Sequence, residues 1–285
     1  MGTKLAAGGV KKNVYAARQI GERHARKLKA FNDIGAMRRW FEAPDVLWRR
    51  ATAPLREGRA ITDDEVALAR TALIAQIGQR AIPARRENLC SLRFKGDDPH
   101  LTLPAGDGEG RLQIPAGETK TGVGVIVVLD PETVARLKVY IDRILPVARK
   151  LAQAHDDNPH LFPGDHLIAK DRLYESGCGF ITPSKANTRF RQHLLRWCGI
   201  DLNMHVMRHL AAKVILDEDP SAMALVQVML GHLWIKTTES YYAEVSKIIA
   251  QRRWQALLSA GARRAMAGLR FHVGPGDIFN GRRAA

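Results

Sequence analysis

The residues best suited to chemistry lie between His205 and Tyr242. His205 and Arg208 stand three apart, so on a helix they share one face. Gly231-His232 follows an apolar run, where a helix would end and a side chain could be re-aimed. Tyr241 and Tyr242 come one turn after Thr237-Thr238. Arginine is the fork-shaped, permanently charged partner of phosphate. Histidine moves protons near neutral pH, and tyrosine can act as a covalent nucleophile. Together they meet the demands of cutting a DNA strand without metal. A nucleophile must attack phosphorus, the non-bridging oxygens need positive charge, and the 5′ oxygen must receive a proton. Each fragment alone is common: a lone histidine is usually structural, and two tyrosines can simply pack. The ordered set HxxR, LGH, TTxxYY is much more specific.

The elements that would position these residues can be read locally. Asn203 is a good N-cap for a helix carrying His205 and Arg208, and Asp219-Pro220 ends that helix. ALVQVMLGH forms the next helix, and residues 235–249 form one that carries the tyrosines. Upstream, Thr62 with Glu65 makes a capping box for an amphipathic helix over VALARTALIAQIGQRA. A break at Pro83 leads into a short helix opening at Arg85, with Leu89 and Leu92 facing the core. LTL, RLQIP and VGVIVVL are short, β-branched and separated by glycine-rich turns, so they read as strands. GETKTG lies between the last two, which puts Lys120 at or beside a hairpin tip. Residues 131–152 and 183–198 have helical spacing, the second with Phe190, Leu194 and Trp197 on one face and Gly199 as its stop. Pro54–Gly58 reads as a linker and LFPGD at 161–165 as a turn. The expected class is therefore mainly α with a small antiparallel sheet.

Composition narrows the partner. The 285 residues carry 44 Lys+Arg against 29 Asp+Glu, a net charge of +15, and this basic excess points to a polyanion such as nucleic acid. Arginine-rich coding bias would give the same total. Cys90, Cys178 and Cys198 show neither a disulfide framework nor zinc spacing. No GxxxxGKS, HExxH or aspartate-rich cluster occurs, so neither cofactor nor metal is expected. No segment reads as a secretory signal or a membrane span, so the expected location is the cytoplasm, at the nucleoid.

In order along the chain, these residues resemble the tyrosine recombinase (phage integrase) family, over roughly residues 60–250. Arg85 matches the first arginine of that pattern, with Leu89 and Leu92 at its apolar positions. Lys120 matches the lysine of the β-hairpin, His205 and Arg208 the HxxR box, and His232 the histidine of LGH. Both Tyr241 and Tyr242 suit the nucleophile; Tyr242 is preferred because YAEV after TTES resembles the family's endings. One position departs from the pattern: Asn88 stands where the family has an acidic residue.

The resemblance implies that Tyr242 attacks the scissile phosphate to give a 3′-phosphotyrosyl link and a free 5′ hydroxyl. Arg85 and Arg208 hold the phosphate, His232 adds a hydrogen bond, His205 assists proton transfer at the tyrosine, and Lys120 protonates the leaving oxygen. It further implies double-stranded DNA as partner and a homotetramer on paired sites.

The expected organisation is a basic helical segment over 1–55, a catalytic domain over 56–270 and a loose basic tail over 271–285. The first segment is short for the DNA clamp that the resembled enzymes carry, so the expectation is a truncated clamp domain, a fragment or a minimal member. Its Arg38, Arg39, Arg49 and Arg50, beside Trp40 and Trp48, suit either a DNA backbone or a docked aromatic face. A DNA-binding protein with an unused site and a type IB topoisomerase-like relaxing enzyme are the competing readings.

Overall fold

The computed structural model describes residues 22–166, 177–219 and 221–230, with Gln255, Leu258 and Ser259. The chain is mainly α with one small antiparallel sheet, the class expected from the sequence. Helix α1 (Glu22–Lys29) and one 3-10 turn lead into α2 (Ile34–Ala51), capped by Asp33, whose carboxylate accepts from the Ala36 N–H. Pro44 lies inside α2, and Trp40, Ala43 and Leu47 from the same helix are buried. Trp40 is only 2% exposed, so this tryptophan is docked in the core and not presented to solvent. Arg50 and Arg196 stack on Trp197, with the Arg50 guanidinium 3.8 Å from the ring centre.

The expected linker at 54–58 is instead a short helix, α3 (Ala53–Glu57). Pro54 presets its first turn, and Gly58, at φ +66°, ends it in the left-handed region. Helix α4 (Asp63–Arg80) has the expected capping box, with both Thr62 and Glu65 bonds formed. It is not amphipathic in place. Every residue from Val66 to Gly78 except Arg70 is buried. Helix α2 and the helices over residues 131–139, 183–198 and 204–218 pack around it, so no face is left for water.

Helix α5 (Arg86–Cys90) is brief, and Leu89 and Leu92 are fully buried as expected. The sheet follows in the order β1 (Leu101–Thr102), β2 (Gly110–Ile114), β3 (Val125–Leu129). Strand β2 alternates buried and exposed residues, and Ile114 pairs with Val125 at the loop end of the hairpin. Residues 131–152 are helical as α6 (Pro131–Val139) and α7 (Leu145–Ala152), joined by one π turn.

The expected turn at 161–165 is in part a strand, β4 (Pro163–His166), bridged to Phe180. Gly164 and Gly179 permit this pairing: a side chain on Gly179 would sit 2.6 Å from the His166 carbonyl. Helix α8 (Pro183–Cys198) ends at Gly199, φ +66°. Helix α9 (Met204–Glu218) is capped by Asn203, whose side chain accepts from the Val206 N–H at 2.8 Å. Helix α10 (Met223–Met229) packs against α9 through Val226, Ala212 and Leu216.

Candidate active site

Arg208 lies on the inward face of α9 and is 7% exposed. Its guanidinium donates through Nη1 to the Pro83 carbonyl at 2.8 Å and through Nη2 to the Leu230 carbonyl. Those two acceptors are informative. Pro83 precedes Arg85 by two residues, and Leu230 directly precedes Gly231-His232. One buried cation therefore fixes three segments far apart in sequence. A fork with five N–H donors can do this while keeping a fixed plane; a point charge could not.

Arg85 is the residue before α5, in extended conformation (φ −64°, ψ 147°). Its side chain is partly buried. Burial lowers its pKa from the ordinary value, with Glu87 pulling the other way. The group nevertheless stays cationic at any ordinary pH.

His205 occupies the exposed edge of α9, one turn before His209, and the two rings meet edge-on at 4.9 Å. His209 is buried, in keeping with a structural role.

Lys120 is exposed in the 115–124 connection between β2 and β3, at the hairpin loop the sequence predicts. That loop is fastened to the protein at Glu118. The Asn88 amide donates to the Glu118 carbonyl at 2.9 Å, from three residues beyond Arg85. The Glu118 carboxylate accepts from both Arg93 Nη atoms, at 2.7 and 3.0 Å, and lies 3.1 Å from His100 Nε2. His100 Nδ1 accepts the Arg93 backbone N–H at 3.2 Å, so the proton of the neutral ring sits on Nε2 and is donated to Glu118. Burial, followed by the Arg93 charge, lowers the His100 pKa, which favours that neutral form. The Glu118 pKa is also below the usual carboxylate value: burial pushes it up, and the Arg93 bonds and the His100 contact outweigh that. Within the loop, the Thr119 hydroxyl reaches the Ala116 and Val123 carbonyls at 3.1 and 2.9 Å.

The structure thus gathers the Arg85 segment, Arg208 and the residue before Gly231-His232, and ties the Lys120 loop to the helix after Arg85. His205 stands at the rim of this group. His232, Tyr241 and Tyr242 lie outside the described residues. Sequence reading missed Glu118, Arg93 and His100 as the anchor of the Lys120 loop. Their partners are distant in sequence, so no local spacing announces them. It also missed a grouping away from this site: His155, Asp157 and Cys178 offer ligand atoms within 4.8 Å of one another, on a largely exposed surface.

No family model matches the sequence, and no curated protein matches it. Among solved structures, the chain is similar to the XerH site-specific recombinase bound to its difH substrate in a pre-cleavage complex. The TM-score is 0.45 at 18% identity, over 70% of this chain and 48% of that one. XerA recombinase gives a TM-score of 0.42 at 19% identity, over 74% of this chain and 63% of that one. The chain thus spans less than two thirds of either protein's length. No helix among the described residues is long and apolar enough to cross a membrane.

Proposed function

We propose that this protein is a metal-independent DNA strand transferase of the tyrosine recombinase type, which cuts and rejoins double-stranded DNA through a 3′-phosphotyrosyl intermediate. The observation that carries the reading is the position of Arg208. Its guanidinium ties the Pro83 carbonyl, two residues before Arg85, and the Leu230 carbonyl, the residue before Gly231-His232, to the helix that carries His205. Preorganised positive charge is what a phosphoryl transfer needs when charge builds on the non-bridging oxygens. The basic excess of the whole chain supports a polyanionic substrate.

In this mechanism the Tyr242 oxygen forms a bond to phosphorus as the bond to the 5′ oxygen breaks. Arg85, Arg208 and His232 hold the non-bridging oxygens. The tyrosine proton passes to His205, and Lys120 gives a proton to the departing 5′ oxygen. The ester conserves the bond energy, so a 5′ hydroxyl from the same or another strand reverses the step without ATP. Exchange between two DNA sites calls for a homotetramer on paired sites.

The test is covalent capture. The protein is incubated with supercoiled and nicked DNA in EDTA, denatured, and assayed for a protein–DNA adduct, alongside Tyr242→Phe and Tyr241→Phe. The reading expects an adduct lost with Tyr242→Phe alone. Loss with Tyr241→Phe alone would reassign the nucleophile to its neighbour. Salt-sensitive binding with no adduct on any DNA would replace strand transfer by DNA binding. Relaxation of supercoils by a monomer at many sites would indicate the topoisomerase-like activity.

A further inference from the structure

We infer that Asn88 is a positioning residue for the general acid: its amide holds the Lys120 loop through the Glu118 carbonyl. This inference rests on the strand-transfer reading and deepens it. Asn88 stands where the resembled family pattern has an acidic side chain. In this protein the position makes a bond that an ionised carboxylate cannot make. The Glu118 carbonyl can only accept, so its partner must donate, and at 2.9 Å the Asn88 Nδ2 does. The amide therefore makes a contact that an ionised acid at this position could not make.

Glu118 is two residues before Lys120 and is gripped from two sides. Asn88 takes its backbone; Arg93 and His100 take its carboxylate. Each attachment comes from a different part of the core. Asn88 lies on α5, three residues beyond Arg85. His100 is joined to β2, since its carbonyl accepts the Gln113 N–H at 2.8 Å. The latch therefore sets the Lys120 backbone against both the phosphate-binding arginine and the sheet. Lysine is a long side chain with several freely rotating bonds, so a fixed anchor for its backbone limits where its ammonium can reach. A proton donor must lie within hydrogen-bond reach of the leaving oxygen to act.

The decisive experiment separates positioning of the acid from general support of the fold. Adduct formation is timed on two substrates, an ordinary phosphodiester and one with sulfur at the 5′-bridging position. A thiolate is a far weaker base than an alkoxide and leaves without a proton. Loss of the acid therefore slows the first substrate and spares the second. Lys120→Ala calibrates this response. Asn88→Asp keeps the side-chain size and presents only acceptors to the Glu118 carbonyl, while Asn88→Ala removes the contact without repulsion. Amide hydrogen exchange is followed at Thr119 and Gly122, whose N–H groups bond within the loop.

Both Asn88 variants are expected to slow the ordinary substrate by at least about tenfold, and to stay within about threefold of wild type on the sulfur substrate. Exchange at Thr119 and Gly122 should quicken while the β2–β3 ladder amides keep their protection. Equal slowing on both substrates, or wild-type rates on the ordinary one, would overturn the inference. Wild-type protein that forms no adduct on either substrate would instead overturn the strand-transfer reading beneath it.

Discussion

At the scale of single residues, the proposed mechanism gives Arg208 a phosphate to hold besides the two carbonyls it bonds, and substitution should expose both duties. Arg208→Ala leaves the buried Pro83 and Leu230 carbonyls without this donor, at a cost of about 1–3 kcal/mol for each. Arg208→Lys keeps the charge, but a single ammonium cannot reproduce the fork, so part of that loss should persist. Denaturant unfolding reads the stability, and adduct formation should fall by roughly a hundredfold or more in both variants. A second residue sets acid stability. His160 Nδ1 donates to the Ser91 carbonyl at 3.0 Å, and its ring lies against Phe180. Burial is the main reason its pKa is lowered from 6.5 to about 4. The unfolded chain therefore takes up a proton that the folded one refuses. Stability is fully present above about pH 6.5, declines as pH falls toward 4, and loses on the order of 3 kcal/mol across that window. Asp201, lowered to about 2 chiefly by its bond to Arg191, acts in a lower window, where stability is lost as pH falls from 3.8. Thermal melts of wild type and His160→Gln should diverge in slope only between pH 6.5 and 4.

At the scale of elements, what could be read from sequence was what is local. The Thr62 capping box, the Asn203 cap, the Gly199 stop and the β2–β3 hairpin are each settled by side chains within a few residues. The caps can be checked: Thr62→Ala should destabilise the protein by about 1 kcal/mol, read as a lower denaturant midpoint with an unchanged slope. What escaped is set by neighbours from elsewhere. Periodicity gave α4 one apolar face, yet alanine, glycine and threonine on its other side pack against helices that the pattern cannot place. Residues 163–166 lack β-branched residues and form a strand only because the backbone beside Phe180 approaches closely at two glycines. Asn88 was visible as a departure from a pattern, but its meaning depends on a carbonyl thirty residues further on. The candidate site follows the same rule: residue types and order were legible, while the carbonyls that aim Arg208 and the carboxylate that anchors the Lys120 loop were not.

At the scale of the whole molecule, charge and chemistry should come apart under salt. Many basic residues are already engaged within the fold: Arg59 with Glu57 and Glu65, Arg191 and Lys27 with Asp201, Arg80 and Arg136 with Glu132. Such exposed pairs add little stability, but they remove those cations from the pool that meets DNA. The excess of 44 over 29 leaves fifteen positive charges that no acid in the chain can balance. If even six of them meet phosphates, affinity for duplex DNA should fall by about a thousandfold between 50 and 200 mM salt, because each contact releases a condensed counterion. A titration of fluorescent duplex at several salt concentrations measures this slope. Lys120→Ala removes at most one such contact, so it should change the slope by no more than about one unit. Its adduct formation should nonetheless fall by roughly 10²–10⁴, the usual range for losing a general acid. A slope that is shallow in the wild-type protein would place the basic excess away from DNA, whatever the chemistry of the site.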